Sequence, residues 1–220
     1  MSDATSDVWA VMSTARTIRR FTDEPVDDAV LARCLEAATW APSGANVQAW
    51  RFVVLRSPEQ RAVVAEAAAA ALAVIEPVYG MSRPDPGDRS RRARTYRATY
   101  ELHDRAGDHT SVLFTYERFD TASELLLGGS VFPAMQNFLL AARAQGLGAC
   151  ATSWASYGGE ALIREAVGIP DHFLVAGHVV VGWPRGRHGP VRRHPIGDVT
   201  FLDHWDAPAT ALVGTEPDPR

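Results

Sequence analysis

Residues 40–54 read Trp40-Ala-Pro-Ser-Gly-Ala-Asn-Val-Gln-Ala-Trp-Arg-Phe-Val-Val54, and this stretch joins a predicted helix to a predicted strand. Pro42 disfavours helical dihedrals at Ala41, so the helix that leads into the stretch is expected to end there. Gly44 then frees the backbone to turn. The β-rich run from Trp50 to Leu55 predicts a strand. The stretch therefore predicts a helix–turn–strand unit around which the rest of the chain is organised.

The turn inside this stretch carries a hydroxyl at Ser43 and two carboxamides at Asn46 and Gln48. Carboxamides both donate and accept hydrogen bonds, as does the edge of a planar heterocycle. This chemistry favours a ligand-binding loop. An ordinary polar turn, in which the side chains bond the turn's own backbone, has the same spacing. The residues alone leave both interpretations open.

The composition bounds the class of protein. A chain of 220 residues, 46% hydrophobic and 22% charged, predicts one globular domain over residues 1–220. Cys34 and Cys150 lie far apart in apolar surroundings, which indicates reduced core thiols and a cytoplasmic protein. Residues 1–7 lack the pattern of a secretory signal, and no run reaches the roughly eighteen apolar residues of a membrane span. The net charge of −4 argues against nucleic-acid binding by bulk charge.

Three arginines are clustered near the amino terminus, in Ala15-Arg-Thr-Ile-Arg-Arg-Phe21. Guanidinium forks suit a phosphate group, so the cluster is a candidate anion site. A solvated basic corner that pairs with Asp23 and Glu24 is the alternative. The residues alone do not decide between the two.

Apolar spacing and capping patterns predict several helices. They cover residues 7–14, the segment from Pro25 to Trp40, the alanine-rich segment that Ser57 caps and that runs through 61–74, and residues 159–167. In the second of these, apolar residues recur every three or four positions, so the helix is expected to bury one face.

The segment from Glu76 to Asp108 is predicted to be irregular at first, because prolines and glycines break regular structure, and then to form a helix over about residues 88–103. Its basic face is expected to be solvated. Tyrosines beside arginines also permit a lid that selects flat, anionic substrates. A plain surface excursion is the alternative. Nucleic-acid binding is disfavoured because the charge is local and no recognition motif accompanies it.

The longest apolar stretch runs from Leu125 to Ala144, after the capping-box pattern Thr121-Ala-Ser-Glu124. It is apolar on nearly every side, which predicts a helix buried within the domain and at a partner surface. Polar residues interrupt the stretch and Pro133 is expected to kink it, so a membrane span is disfavoured.

Three further β-rich runs predict strands, at Ser111–Tyr116, Gly146–Ser153 and Phe173–Gly182. The small side chains of the second run would let backbone approach a ligand closely, although tight helix–strand packing also explains them. His178 lies inside an apolar run and is predicted to be a core histidine. Because no second histidine or acid stands at ligand spacing, no metal site is predicted.

Several motifs resemble those of the nitroreductase-like flavin enzymes. Residues 42–50 resemble the family's Pro-Ser-Gly-x-Asn-x-Gln-x-Trp loop, and residues 15–21 resemble its Arg-Arg-Ser-Ile-Arg-x-Phe motif. Trp183-Pro184 resembles its Gly-Tyr-Pro, and residues 190–199 resemble its closing Arg-Arg-Pro segment. The motifs keep the family's order, and this agreement is more specific than any one of them.

The resemblance implies a site for FMN, with hydride transfer at flavin N5 and no catalytic side chain. By position, Arg16 and Thr17 would hold the phosphate and the ribityl chain. Arg19 would lie near the N1/O2 edge of the ring, and Arg193 would contact the phosphate. Ala15 departs from the family pattern, which has a basic residue there, so charge compensation would depend on fewer arginines.

The remaining implied contacts surround the flavin ring. The loop residues that would lie along the ring are Pro42, Ser43, Asn46 and Gln48. Backbone N–H groups at Ser153 and Trp154 would lie near N5. Ala49 and Trp154 depart from the family pattern, and relatives commonly have glycine at the latter position.

The resemblance also implies an α+β fold with a mostly antiparallel sheet flanked by helices, and a homodimer with FMN at its interface. The long central helix would contribute to that interface, residues 76–108 would form a variable lid, and the tail over 200–220 would pack on the partner subunit. NADH or NADPH would transiently reduce the flavin, which would reduce a nitroaromatic or a quinone. Dehalogenation, flavin fragmentation, ring dehydrogenation or flavin binding without turnover are the alternatives. No metal, nucleic-acid or membrane partner is implied.

Overall fold

The computed structural model describes residues 4–119 and 123–213. Two compact units divide the chain, Met1–Gly189 and Pro190–Arg220. The first unit contains the sheet and the long helices. Our prediction of one domain over residues 1–220 stays a prediction.

Four strands form one sheet in the first unit: β1 (Trp50–Leu55), β2 (Thr110–Glu117), β3 (Gly148–Thr152) and β4 (Phe173–Gly182). Their order across the sheet is β1-β2-β4-β3, and each neighbouring pair is antiparallel. The predicted antiparallel α+β architecture is therefore confirmed. Strands β1 and β3 form the two edges of this sheet, a placement that matters for the site below.

Six helices accompany the sheet: α1 (Val8–Thr14), α2 (Asp28–Thr39), α3 (Pro58–Tyr79), α4 (Arg91–Asp104), α5 (Glu124–Ala144) and α6 (Glu160–Val167). Serine side chains cap three of them. The hydroxyls of Ser57, Ser90 and Ser123 accept hydrogen bonds from backbone N–H groups in the first turns of α3, α4 and α5. These caps satisfy donors that the helix itself leaves unpaired.

The end of one helix differs from the prediction, and the capping box of another is only partly described. Helix α3 continues through Pro77 and ends at Gly80, whose φ of 56° is left-handed. Glu76–Pro77 therefore does not break the helix, because a proline in the last turn removes only one hydrogen bond of a long, packed helix. Ser123 caps α5. The capping-box residue Thr121 lies outside the described residues.

Helices cover both faces of the sheet. Helices α2 and α5 pack on one face with β2 residues such as Val112 and Phe114. Helix α3, with parts of α4 and α6, packs on the other face, where Leu113 lies. Neighbouring residues of β2 thus enter different cores, as the alternation of a strand requires. This explains why nearly all of β2 is buried.

Helices α3 and α5 are long and apolar enough to cross a membrane, judged by length and composition alone. Both contribute buried residues to the two cores, Val64 and Ala71 from α3 and Val131 and Phe138 from α5. Core helices pass the same test. Nothing in the described residues points to a membrane.

The second unit has little regular structure. A short 3₁₀ turn covers Ile196–Val199, and a four-residue helix, α7, covers Thr210–Val213. Phe201 pairs with Pro208 in an isolated bridge, and the Phe201 and Trp205 rings are 5.2 Å apart. The predicted packing of this tail on a partner subunit stays a prediction.

Candidate functional site

The arginine-rich segment after α1 runs along the edge of the sheet beside β3. The N–H of Ile18 donates to the carbonyl of Ala149 at 2.9 Å, and Thr17 bridges the same residue in parallel. A Cβ at Gly148 would lie 2.7 Å from the Ile18 side chain, so only glycine permits this approach. The ring of Phe21, 1% exposed, anchors the far end of the segment.

A cavity of about 600 Å³ lies against this segment. Its walls come from residues 16–20, from one face of α4 and from residues 185–187. The arginines that line it are Arg16, Arg19, Arg20, Arg91, Arg94, Arg185 and Arg187. The cavity brings together the predicted site residues Arg16, Thr17 and Arg19. It also brings in a face of α4 that we predicted to be solvated.

Only two of the cavity's arginines are neutralised by a neighbouring acid. Arg20 and Arg185 share Glu101, at 2.6 and 3.0 Å. Within residues 4–119 and 123–213, the other arginines of the cavity form no salt bridge with an acid: Arg16, Arg19, Arg91, Arg94 and Arg187. The expected pairing of these arginines with Asp23 is wrong, because Asp23 pairs with Arg105 instead. Guanidinium groups that share a cavity without acids suit an anion, so the anion site stays a prediction.

The polar loop before β1 has a strained backbone. A 3₁₀ turn covers Gly44–Asn46, and three non-glycine residues have left-handed φ: Ala45 (48°), Asn46 (54°) and Gln48 (53°). Such conformations each cost on the order of 1–3 kcal/mol and concentrate at ligand sites. The strain therefore supports the ligand-loop interpretation over an ordinary turn.

Hydrogen bonds hold this loop in shape. The Ser43 hydroxyl accepts from the N–H of Gln48 at 3.0 Å, and the Gln48 carboxamide donates to that of Asn46 at 3.0 Å. The N–H of Gly44 donates to the Ser130 hydroxyl of α5 at 3.3 Å. The self-bonding expected of a polar turn is present, yet the two carboxamides stay exposed at the surface. The shape of the loop is thus set by bonds within the chain.

Within one chain, the polar loop and the arginine cavity lie at opposite corners of the sheet. The loop leads into edge strand β1, whereas residues 16–18 lie beyond edge strand β3, and the three steps between those edges span about 14 Å. The loop bonds Ser130, while Arg143 of the same helix donates to Thr14 at 2.8 Å. The thirteen-residue step from Ser130 to Arg143 covers about 20 Å of helix axis. The predicted site residues therefore form two clusters.

Ser153 and Trp154 follow β3, and their side chains point differently. Ser153 is exposed, while Trp154 is 1% exposed, and its indole N–H donates to Nε2 of His103 at 3.0 Å. The Trp154 side chain therefore fills the core, and the expected backbone contact of this position with N5 stays a prediction. The backbone N–H groups of both residues donate to no other described residue, so they stay available for a ligand.

Trp154 forms a buried stack with two histidines. Its ring lies 5.5 Å from that of His103 and 5.1 Å from that of His178, edge to face in both pairs. His178 is fully buried and contacts the Ser111 hydroxyl at 2.7 Å. Burial lowers the pKa of His178 to about 3 and also lowers the pKa of His103. The predicted core role of His178 is confirmed.

The buried histidines predict a pH dependence of stability. Their pKa is lowered in the folded state, so between that pKa and about 6.5 only the unfolded chain takes up their protons. The free energy of unfolding should be constant above about pH 6.5 and fall at lower pH, with His178 contributing up to about 1.4 kcal/mol per pH unit. Urea denaturation from pH 8 to 4.5 measures this slope.

The matched variant is His178→Gln, which keeps a hydrogen-bonding group toward Ser111 and cannot titrate in this range. For this variant, the slope of the free energy of unfolding against pH should be smaller than for the unmodified protein. Equal slopes would show that His178 does not contribute.

Other reactive groups do not form a catalytic set. Burial raises the pKa of both Cys34 and Cys150 to about 11, so neither thiol is a nucleophile near neutral pH. Within the part of the chain that the structure describes, no group of three or more His, Cys, Asp or Glu side chains is placed to hold a metal ion.

Arg193 lies in the second unit and donates to the carbonyl of Arg192 at 2.9 Å. Its phosphate role stays a prediction.

Comparison with known proteins gives a consistent result. The chain is 29% identical to a 5,6-dimethylbenzimidazole synthase of Rhodospirillum rubrum, over 81% of this chain and 82% of that protein. It is 28% identical to an NADH dehydrogenase of Thermus thermophilus, over 84% of this chain and 91% of that protein. Its fold matches that of an FMN- and NADPH-dependent nitroreductase from Sphigopyxis sp. strain HMH, with a TM-score of 0.68, 21% identity and coverage of 90% of this chain and 100% of that one.

The family model for nitroreductases matches residues 12–183, most of the chain. The match spans both clusters described above, the arginine segment and the polar loop. It confirms the predicted fold and the resemblance read from the motifs. The chain belongs to the nitroreductase family.

Proposed function

We propose that this protein is an FMN-dependent oxidoreductase that passes electrons from NADH or NADPH to an electron-poor small molecule, such as a quinone or a nitroaromatic. The arginine cavity carries this proposal. It places Arg16, Arg19 and the Thr17 hydroxyl around one space in which no described acid neutralises those two guanidinium groups. A phosphate with two negative charges suits this donor set.

The chain's own residues bind and orient the cofactor. Arg16 and Thr17 would hold the phosphate and the ribityl chain, and the positive charge of Arg19 would stabilise negative charge at the ring edge. Asn46 and Gln48 offer exposed carboxamides to the ring, and the N–H groups at Ser153 and Trp154 offer two backbone donors. When bound, FMN supplies the redox chemistry, taking two electrons from the reductant and passing them to the acceptor.

The separation of the two clusters supports a homodimer. An arginine cavity and a polar loop about 20 Å apart along α5 cannot bind the same part of one ligand within one chain. Large apolar side chains are exposed on the surfaces beside the loop and on α1 and α5, among them Trp9 (78%), Trp40 (73%) and Leu125 (85%). Exposed apolar patches mark interaction sites. We infer that each FMN site combines the arginine cavity of one subunit with the polar loop of the other.

Flavin binding tests this proposal directly. The purified protein should take up about one FMN per chain, without a covalent bond, and should then oxidise NADH or NADPH when a quinone is supplied. Arg16→Gln should weaken FMN binding by about ten- to a hundred-fold, because it removes a charge-assisted contact. Fluorescence titration of the apoprotein measures the dissociation constant.

The matched control is Arg92→Gln. Arg92 lies on α4 with its guanidinium over the Tyr96 ring, 5.1 Å from the ring centre, and it does not line the cavity. It should bind FMN as the unmodified protein does. A protein that takes up no FMN contradicts the proposal, and one that binds FMN without oxidising either reductant contradicts the proposed reaction but not the FMN site.

Flavin fragmentation is the second candidate, favoured by the similarity to the R. rubrum synthase over most of both chains. Product analysis separates the two reactions. Under air with reduced FMN, the synthase activity would consume the flavin and release 5,6-dimethylbenzimidazole. The oxidoreductase would return the flavin intact, as FMN reoxidised by the oxygen of the air.

A further inference from the structure

We propose that Arg91 and Arg94 of α4 form a second phosphate-binding subsite in the arginine cavity, which recognises a phosphorylated ligand other than FMN. The source of that phosphate is either the reductant, whose NADPH form carries an additional 2′-phosphate, or a phosphorylated acceptor. The proposal rests on the proposed function, because the first subsite is taken to hold the FMN phosphate. In this proposal, Arg91 and Arg94 govern which phosphorylated ligand binds.

The subsite is built from one face of α4. Four residues of α4 line the cavity: Arg91, Arg94, Thr95 and Ala98. The last three follow Arg91 by three, four and seven positions. These positions share one face of a helix. Arg91 and Arg94 belong to the first turns of this fourteen-residue helix, whose amino-terminal end carries partial positive charge. Helix and side chains therefore present positive potential to the same space.

The charge of the cavity exceeds what FMN needs. A phosphate monoester carries about two negative charges at neutral pH. With Arg19 assigned to the ring edge, Arg16, Arg91, Arg94 and Arg187 remain as four guanidinium groups that have no acid partner among the described residues. Like charges in one cavity repel each other. The volume of about 600 Å³ lies within the range of small-ligand pockets. A second anionic group accounts for both the charge and the space.

Other arginines between residues 76 and 108 bind groups within this segment, and this distinguishes them from Arg91 and Arg94. Arg92 stacks on Tyr96, Arg97 donates to the carbonyls of Asp85 and Asp88, and Arg83 pairs with Asp104 at 2.6 Å. Arg94 makes one bond, to the carbonyl of Arg89 at 3.2 Å. Neither Arg91 nor Arg94 therefore has its charge neutralised by a described residue.

Two tyrosines of this segment are hydrogen-bonded through their hydroxyl groups, while the predicted lid role of residues 76–108 stays a prediction. Tyr100 is buried and donates to Glu76 at 2.7 Å, and the Tyr79 hydroxyl lies 2.8 Å from that of Tyr157. These contacts tie α4 to α3 and to the body of the domain. In this proposal, ligand selection by the segment depends on the positive charge of α4, which these contacts hold in place.

The test compares Arg91→Gln/Arg94→Gln with the unmodified protein and with Arg92→Gln, all loaded with FMN. The probes are adenosine 2′,5′-bisphosphate and AMP, measured by calorimetry, and KM for NADPH and NADH with an uncharged quinone. If the reductant supplies the phosphate, the affinity of the double variant for the bisphosphate should fall by at least ten-fold, and its KM for NADPH should rise by at least ten-fold. Its AMP affinity and its KM for NADH should change less than three-fold. Arg92→Gln should change none of these.

If the acceptor supplies the phosphate, KM for 4-nitrophenyl phosphate should rise by at least ten-fold in the double variant, while KM for nitrobenzene and for both reductants stays constant. The proposal is overturned if every constant is unchanged. It is also overturned if the dissociation constant of FMN rises as much as those of the probes, because the two arginines would then belong to the FMN phosphate. A chain that takes up no FMN contradicts the proposed function, and bisphosphate titration of the apoprotein still tests the subsite.

Discussion

Replacing Trp154 with alanine is expected to lower the free energy of unfolding by about 3–5 kcal/mol, because the change removes a large, fully buried side chain and leaves a cavity. It also leaves Nε2 of His103 without the indole N–H that it accepts. Chemical denaturation at pH 7.5, where the buried histidines are neutral, measures the loss. Trp154→Phe is the matched variant, since it keeps most of the volume and removes only the N–H, and it should cost less.

The same pair of variants decides what Trp154 does for the cofactor. If its side chain belongs to the core, the FMN affinity of Trp154→Phe should stay near that of the unmodified protein, because the backbone N–H at this position is retained. An FMN affinity that falls ten-fold or more in Trp154→Phe, at unchanged stability, would mean that the indole contacts the flavin and that its buried position does not describe the loaded protein.

Local patterns predicted most of the elements. The bounds of β1 and β4 are those of the β-rich runs, because turn-forming residues stand near both ends of each run. The error at Pro77 has a tertiary cause. Glu76 and Tyr79, in the last turn of α3, bond Tyr100 and Tyr157, and these tertiary contacts offset the bond that the proline removes. Such contacts are not contained in any local pattern.

The site was harder to predict than the fold. Arg91 and Arg94 were missed because the spacing predicts a basic face for α4 but not which surface faces it, and residues 16–20 lie far away in sequence. The i, i+3 spacing of the two arginines was the available signal. The burial of the Trp154 side chain was not predicted either, because matching a motif by position does not tell where a side chain points.

We expect two variants, one in the arginine cavity and one in the polar loop, to bind FMN weakly when each forms a homodimer. Arg16→Gln removes charge from the cavity. Asn46→Gly/Gln48→Gly removes both carboxamides of the loop, and glycine accepts the left-handed φ of both positions without strain. If each site takes its cavity from one subunit and its loop from the other, each homodimer has two damaged sites, and its FMN affinity should fall by at least about ten-fold. Titration of each purified homodimer measures this loss.

The heterodimer of these two variants should recover one tight FMN site per two chains. One of its sites combines the substituted cavity with the substituted loop, so the other combines an unmodified cavity with an unmodified loop. Differently tagged chains, co-expressed and purified on both tags, would be titrated with FMN. The control is a chain with all three substitutions paired with an unmodified chain, which should have no intact site. If each site instead lies within one chain, the results reverse, with no tight site in the first heterodimer and one in the control, because the unmodified chain then keeps its own site whatever its partner carries.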